Sequence, residues 1–375
     1  MSRIAFSRPF FGREEEEAAA AAIRSGWVVG GPNLRRLESR FAELSGAPHG
    51  IGVSSWTTGA FLVLKELGIG PGDEVIVPSL TFIASVNVIA HTGATPVFAD
   101  IDPRTYNIDP EKIPALITKN TRAIMPVDQV GLPCPIDRIM EIAAAHEIPV
   151  IEDAACAFAS RFGDRPVGAA APITIFSLHA RKVVTTGEGG MIVTHDDAFA
   201  ERLRRQRHQG MSLSDFERHG GLPTNFETYP EIGYNFRITD IQAAVGNSQL
   251  DRLDEMLARR RQVAETYLSG LRDQPFIGLP HVPDTVAHNW QSFQIRLFPG
   301  APLSRNGFME ALHGAGVENR RGVMASHLEP PYRHMKTHLP ETERAAAECV
   351  QLPMHSGLST DEASRVCETI RNLLG

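Results

Sequence analysis

The chain has 375 residues, of which 42% are hydrophobic and 22% charged. That balance suits a soluble globular protein with one large domain and a smaller one, and it excludes a disordered chain. A net charge of −7 argues against nucleic acid or an anionic membrane as the main partner.

The first residues, MSRIAFSRPFFGREEEE, lack the apolar stretch of a signal peptide. Residues 14–25 then read as an acidic-started helix. A second helix is expected over 33–45, opened by G-G-P-N with Asn33 as its cap. From about Pro48 to Thr194, short β-branched runs alternate with helical patterns. One part, Val75 to Ala99, carries no Asp, Glu, Lys or Arg. Pro78, Asn87, His91, Gly93 and Pro96 divide it into strand, helix and strand, so it is a buried α/β unit rather than a membrane span. GDEVIVP is a strand, SLTFIASVNVIAHTG a helix, ATPVFADI a strand. RAIMPV and a helix over 136–147 follow, and then IPVIED, ITIFSL and GGMIVT as three more strands. Such alternation predicts an α/β fold with a mostly parallel sheet covered by helices on both faces. Ligands of such sheets collect at the carboxyl ends of strands, here just after Val77, Val127, Ile151 and Leu178.

Beyond Thr194 the chain becomes highly charged (ERLRRQRHQG), which reads as a solvated helix face in preference to a pyrophosphate contact. A long helix is expected over 239–271, and mixed strands and helices from about 274. The resulting division is a large domain over 1–250, with an N-terminal arm, and a small α/β domain over 251–375 that includes the long connecting helix. The four cysteines, Cys134, Cys156, Cys349 and Cys367, form no C-x-x-C pair. They suggest neither a zinc site nor a disulfide framework, and fit a reducing cytoplasm.

Lys182 lies between a strand and a glycine-rich turn in IFSLHARKVVTTGEGGMIVT. A surface lysine opening a hairpin loop is the plain reading; a partly desolvated amine, nucleophilic toward an aldehyde, is the functional one. Asp153 ends the apolar strand I-P-V-I-E-D and precedes the small residues A-A-C-A, which leave space for a flat ligand; an ordinary helix cap is the alternative. S-S-W-T-T-G, residues 54–59, offers hydroxyls and free N–H groups at a helix start to a phosphate, or is an ordinary cap. Phe82 is either a stacking ring or a core residue. Together, a Schiff-base lysine, an aspartate for a pyridinium nitrogen, a phosphate cradle and a stacking ring meet the requirements of pyridoxal phosphate. G-x-x-x-x-G-K-[ST] is absent, G-I-G-P-G-D follows a helix rather than a strand, and no histidine pattern suits a metal.

At this point the sequence resembles the DegT/StrS family of pyridoxal-phosphate sugar aminotransferases, of fold type I. The resemblance is carried by F-F-G-R-E-E, G-P-G-D-E-V-I-V-P-S-L-T-F, G-A-T-P-V-F-A-D-I-D, V-I-E-D-A-A, F-S-L-H-A-R-K-V-V-T-T-G-E-G-G-M-I-V-T and G-Y-N-F-R-I-T-D. It implies that Lys182 bonds the cofactor aldehyde and Asp153 pairs with its ring nitrogen. Ser177, Thr57 and the Trp56 N–H would hold the phosphate, and Phe82 would stack. Asn235 would reach the phosphate from a neighbouring subunit, which implies a homodimer with shared sites. His179 and Arg237 are implied on the substrate side, Arg237 for an anionic group. Trp56, Cys156 and Asp128 depart from the family's usual residues. Cys156 stands at the position, often Gln, that contacts the ring hydroxyl, and Asp128 replaces a frequent histidine; all three are expected near the pocket. The implied reaction moves an amino group from L-glutamate or L-glutamine to a keto-sugar, nucleotide-linked. A keto-cyclitol or other ketone, another pyridoxal-phosphate reaction and a non-catalytic homologue are the alternatives. Lys182 speaks against the family's dehydratases, which carry histidine there.

Overall fold

The structure of the protein is a computed structural model that describes residues 3–213, 218, 222, 224 and 226–375. The main sheet contains β1 (His49–Val53), β2 (Glu74–Pro78), β3 (Thr95–Ala99), β4 (Thr121–Ile124) and β5 (Ile151–Asp153). After a small pair, β6 (Arg161–Phe162) and β7 (Arg165–Pro166), it is completed by β8 (Ile173–Ser177) and β9 (Gly190–Thr194). Three strands run parallel in the order β3–β2–β4, and four in the order β1–β9–β8–β5. Parallel bridges Ile124–Val150 and Val127–Asp153 join the two groups edge to edge.

The strands are apolar along their whole length because both faces are covered. Ile175 and Ile192 point to one side, where they meet Leu62, Val86 and Ile151. Their neighbours Phe176, Met191 and Val193 point to the other, against Leu37 and Phe41. This is the expected α/β architecture with one exception: β9, the run GGMIVT, pairs antiparallel with both β8 and β1. It returns from β8 without a helical crossover, so residues 178–189 form a hairpin loop. Lys182 sits in that loop.

A second sheet, antiparallel throughout, has the order β10–β12–β14–β13, where β10 is Ile277–Gly278, β12 Phe293–Leu297, β13 Arg320–Arg321 and β14 Cys349–Leu352. Its core of Tyr267, Phe293, Ile295, Phe308, Val350 and Ile370 also takes in Ile4. The N-terminal segment therefore belongs in space to the second sheet, bridged at Ile4–Val317. A short strand β11 (Val286–Ala287) pairs with β6.

Three expected elements differ. The helix over 239–271 is two helices, Asp240–Asp251 and Leu253–Gly270, separated at Arg252 (φ −111°, ψ 12°). No glycine or proline causes the break. The Arg252 side chain reaches Glu15 at 3.2 Å and covers the Phe10 ring at 4.4 Å, so tertiary contacts with the N-terminal arm override helix propensity. Asn33 is not a cap: the helix Pro32–Leu44 is capped by Gly31, and Asn33 Nδ2 donates to Asp240 Oδ2 at 2.7 Å. The helix expected from Ser79 begins at Ile83, because Leu80 bridges to Ala325, Thr81 N–H bends back to Ser79 O at 3.0 Å and Phe82 is extended. No helix among the described residues is long and apolar enough to cross a membrane.

Candidate active site

The hairpin loop 178–189 is tied at its base. Leu178 N–H donates to Gly189 O (2.9 Å), and Leu178 O accepts from Thr186 N–H (3.0 Å) and Thr185 Oγ1 (2.8 Å). Val183 and Val184 are buried beneath it. This anchoring aims Lys182 into a cleft of about 460 Å³ between the carboxyl ends of the main strands and the second sheet. The chain has five lysines, and Lys182 alone is half-buried; Lys65, Lys112, Lys119 and Lys336 are exposed. Its Nζ donates to Cys156 Sγ at 3.0 Å.

Asp153, at the end of β5, lines the same cleft and is only 2% exposed. Ser85 Oγ donates to its Oδ2 at 2.7 Å, and Ala155 N–H to its Oδ1 at 3.1 Å. Asp153 therefore makes a turn-type bond to Ala155, with no helix following. Burial raises its pKa to about 6, while the Ser85 and Ala155 bonds and the Lys182 charge pull the other way. The cleft thus holds an amine from the hairpin loop and a buried carboxylate from a strand end, 29 residues apart in sequence.

A third element is the start of the helix Trp56–Glu66. Ser55 caps it, accepting from Thr58 N–H at 3.1 Å. Helix geometry leaves the N–H groups of Trp56 and Thr57 without helical partners, facing the cleft that both residues line. Gly190 packs against this turn: a Cβ there would lie 2.6–2.7 Å from the Ser55 carbonyl and Trp56 N. The Trp56 indole is accommodated beneath the helix, 6% exposed, with Nε1 donating to Ile175 O at 3.1 Å. A backbone anion cradle, a half-buried amine and a buried carboxylate fit a phosphorylated pyridine aldehyde.

Residues 10–371 match the model of the DegT/DnrJ/EryC1/StrS aminotransferase family. The chain belongs to this family. It is 38% identical to the GDP-perosamine synthase of Caulobacter vibrioides, over 100% of this chain and 99% of that protein. Among solved structures, the aminotransferase TlmJ from Streptoalloteichus hindustanus superposes with a TM-score of 0.92 at 32% identity, covering 100% of this chain and 99% of that one. The PLP-form of the putative sugar aminotransferase Spr1654 from Streptococcus pneumoniae gives a TM-score of 0.92 at 28% identity, covering 99% and 98%. The chain is an enzyme of the aminotransferase class with a mixed α/β fold shared by these relatives.

Of the residues named from the sequence, this aminotransferase brings Trp56, Thr57, Phe82, Asp153, Cys156, Ser177, His179 and Lys182 to one cleft. Ser177 Oγ accepts from His179 N–H at 3.3 Å. Burial lowers the His179 pKa, against the opposing pull of Glu188, whose carboxylate is 3.8 Å away. Phe82 caps the helix Ile83–Thr92 and is 61% exposed at the cleft edge. Asn235 and Arg237 do not line the cleft of their own chain. Asn235 is exposed and bridges to His208, and the Arg237 guanidinium bonds the His208 ring.

Asp128, expected near the pocket, does not itself line the cleft: it lies fully buried between the cleft-lining residues Val127 and Gln129. Its Oδ1 accepts from Cys134 N–H at 2.8 Å, and its Oδ2 has no hydrogen-bond partner. Asp128, Cys134 and Glu152 place their donor atoms within 4.8 Å of one another. Burial, reinforced by Glu152, raises the Asp128 pKa well above the carboxylate range, and burial raises that of Glu152 to about 7. An acid whose folded pKa is raised stabilises the fold below its unfolded pKa, and that contribution is lost as pH rises through the folded pKa. Asp128→Asn keeps the acceptor for Cys134 and removes the buried acid beside Glu152. Thermal unfolding is therefore expected to show the variant gaining on the parent as pH rises from about 4, the ordinary carboxylate value, to about 8. A difference in midpoint that stays constant over that window would contradict the assignment.

Sequence reading missed Ser85, Gln129, Arg181, Arg320, Arg321 and Phe6, all on the cleft wall. Ser85 holds Asp153, and Gln129 Nε2 donates to Leu80 O. Apart from Arg320 and Arg321, which together form β13, these residues come from separate elements and share no motif that marks them.

Proposed function

We propose that the chain is a pyridoxal-phosphate-dependent sugar aminotransferase that moves an amino group from L-glutamate or L-glutamine to a nucleotide-linked keto-sugar, in amino-sugar biosynthesis. The observation that carries this reading is the meeting of the Lys182 amine and the buried Asp153 carboxylate in one cleft. The sugar-nucleotide acceptor is supported by the similarity to a GDP-perosamine synthase.

When bound, pyridoxal phosphate supplies an aldehyde that condenses with amines and a protonated ring that takes up carbanion electrons. Lys182 is the residue that bonds it covalently. Once released, its Nζ would take the proton from the donor's α-carbon and deliver it to the carbon that had carried the aldehyde. Asp153, oriented by Ser85 and Ala155, holds the proton on the ring nitrogen. Ser177, Thr57 and the Trp56 N–H hold the phosphate, and Gly190 keeps their backbone within reach. Phe82 stacks, Cys156 lies beside the reacting amine, and His179 faces the substrate.

The reading extends to a homodimer with shared sites, in which the partner subunit's Asn235 reaches the phosphate. Support comes from the segment leading to Asn235, which leaves Phe226 (78%), Tyr229 (57%) and Ile232 (90%) exposed. Exposed apolar side chains in such density suit an interface. A division near residue 250, between the helices on either side of Arg252, is supported by the separate cores of the two sheets.

The test is a screen of amino donors and acceptors in separate half-reactions. L-glutamate or L-glutamine is expected to bleach the purified yellow protein, and a nucleotide-linked keto-sugar to restore its absorbance. Restoration by keto-cyclitols alone would move the acceptor to the other class, and a yellow protein inert to every amino donor would contradict the reaction.

A further inference from the structure

Four cationic side chains line the cleft, Arg181, Lys182, Arg320 and Arg321, against two carboxylates, Asp153 and Glu188. Both carboxylates are already engaged. Asp153 is held by Ser85 and Ala155, and Glu188 faces His179. Arg321 lies 3.7 Å from Glu329. Arg181 and Arg320 have no carboxylate within ion-pair distance among the described residues.

These two arginines meet at one ring. The Arg320 Cζ lies 5.3 Å and the Arg181 Cζ 5.9 Å from the centroid of Phe6. Phe6 is itself fixed, 8% exposed, with its N–H donating to Glu318 Oε2 and its carbonyl accepting from Met354 N–H, both at 3.1 Å. Arg181 comes from the hairpin loop, adjacent in sequence to Lys182. Arg320 comes from β13, at the edge of the second sheet. Three distant segments thus converge on the mouth of the cleft. A ring face attracts a guanidinium by about 1 kcal/mol, whereas an oxyanion bridging two guanidinium forks makes the stronger, charge-assisted bonds.

We infer that Arg181 and Arg320, with Phe6 as their common platform, form an oxyanion subsite for the substrate. The inference rests on the aminotransferase reading above. Two sources carry that chemistry, the carboxylate of the amino donor and the phosphate of a nucleotide-linked acceptor. The family resemblance implied an anionic group for Arg237, which does not line the cleft of its own chain.

The experiment uses the holoenzyme and the variants Arg181→Met, Arg320→Met and their combination, which keep side-chain bulk on Phe6 and remove the charge. Cofactor absorbance and circular dichroism identify correctly folded variants. The half-reaction with L-glutamate is titrated with and without inorganic pyrophosphate. Loss of one charge-assisted pair is expected to cost about ten- to a hundredfold in half-saturation, with the rate at saturation nearly unchanged. If that rise falls on L-glutamate, the subsite holds the donor carboxylate. If L-glutamate saturation is unchanged and inhibition by pyrophosphate weakens by that factor, it holds the acceptor phosphate. Unaltered glutamate saturation in the double variant, together with pyrophosphate inhibition that is either unaltered in it or already absent from the parent enzyme, overturns the inference. Neither readout needs a sugar, so an error in the acceptor reading shows separately, in the acceptor screen.

Discussion

Lys182→Ala is expected to reduce transamination by at least about 10,000-fold and to leave any bound cofactor without a covalent link to the chain. Two functions are lost in one substitution. Covalent capture disappears, and so does the amine that carries the proton, a contribution that alone is worth about 10²- to 10⁴-fold. No other lysine can substitute. Lys65, Lys112, Lys119 and Lys336 are exposed, and none lines the cleft. The fold should survive the change, since the loop is held by Leu178, Thr185, Thr186 and Gly189 rather than by the lysine side chain. Steady-state rates and the cofactor's absorbance check the prediction together. A variant with wild-type turnover would remove Lys182 from the reaction.

Asp153→Asn is expected to cost about a hundred- to a thousandfold in kcat, the usual weight of one preorganised charge in a water-excluded site. The amide keeps the shape and an acceptor for Ser85 but leaves the ring nitrogen without an anion. The same substitution should stabilise the cofactor-free protein. The folded pKa of Asp153 is raised to about 6 from 3.8, so ionising it in place opposes folding. Its stabilising contribution is present below the unfolded value and is lost as pH rises through about 6. The cost at higher pH is at most about 3 kcal/mol. Thermal unfolding of the cofactor-free forms is expected to favour the variant at neutral and alkaline pH and to converge in acid. A variant that is less stable at every pH would show that Asp153 is a structural acid instead of a functional one.

Much of the architecture was legible because the main strands are buried on both sides and spell unbroken apolar runs. The direction of a strand leaves no such trace. GGMIVT reads the same whether β9 runs with its neighbours or against them, and only the absence of a helix between Leu178 and Gly190 hinted at a hairpin. The plain reading of Lys182 and the functional one turn out to be compatible in part: the lysine does lie in a hairpin loop, and the loop turns it into the cleft. Arg252 shows the opposite limit. Its neighbours favour continuous helix, and the break is imposed by Glu15 and Phe10, more than two hundred residues earlier. Strand-end position located Asp153, since ligands of parallel sheets gather there, whereas Ser177 was implied by the family resemblance. Ser85, Phe6, Arg181 and Arg320 escaped notice because each is ordinary in its own segment and acquires meaning only through contact with distant ones. Asp128 was expected near the pocket as a departure from the family's usual residue, and it lies between Val127 and Gln129, which line the cleft while Asp128 does not.

The central claim is a covalent bond between the Lys182 amine and the aldehyde of pyridoxal phosphate. Borohydride reduction of the purified holoenzyme followed by peptide mass mapping tests it most directly. The account predicts one phosphopyridoxyl group per chain, carried by the peptide that contains Lys182 and lost in Lys182→Ala. A label on one of the four other lysines, or a reduced protein with no label, would contradict it.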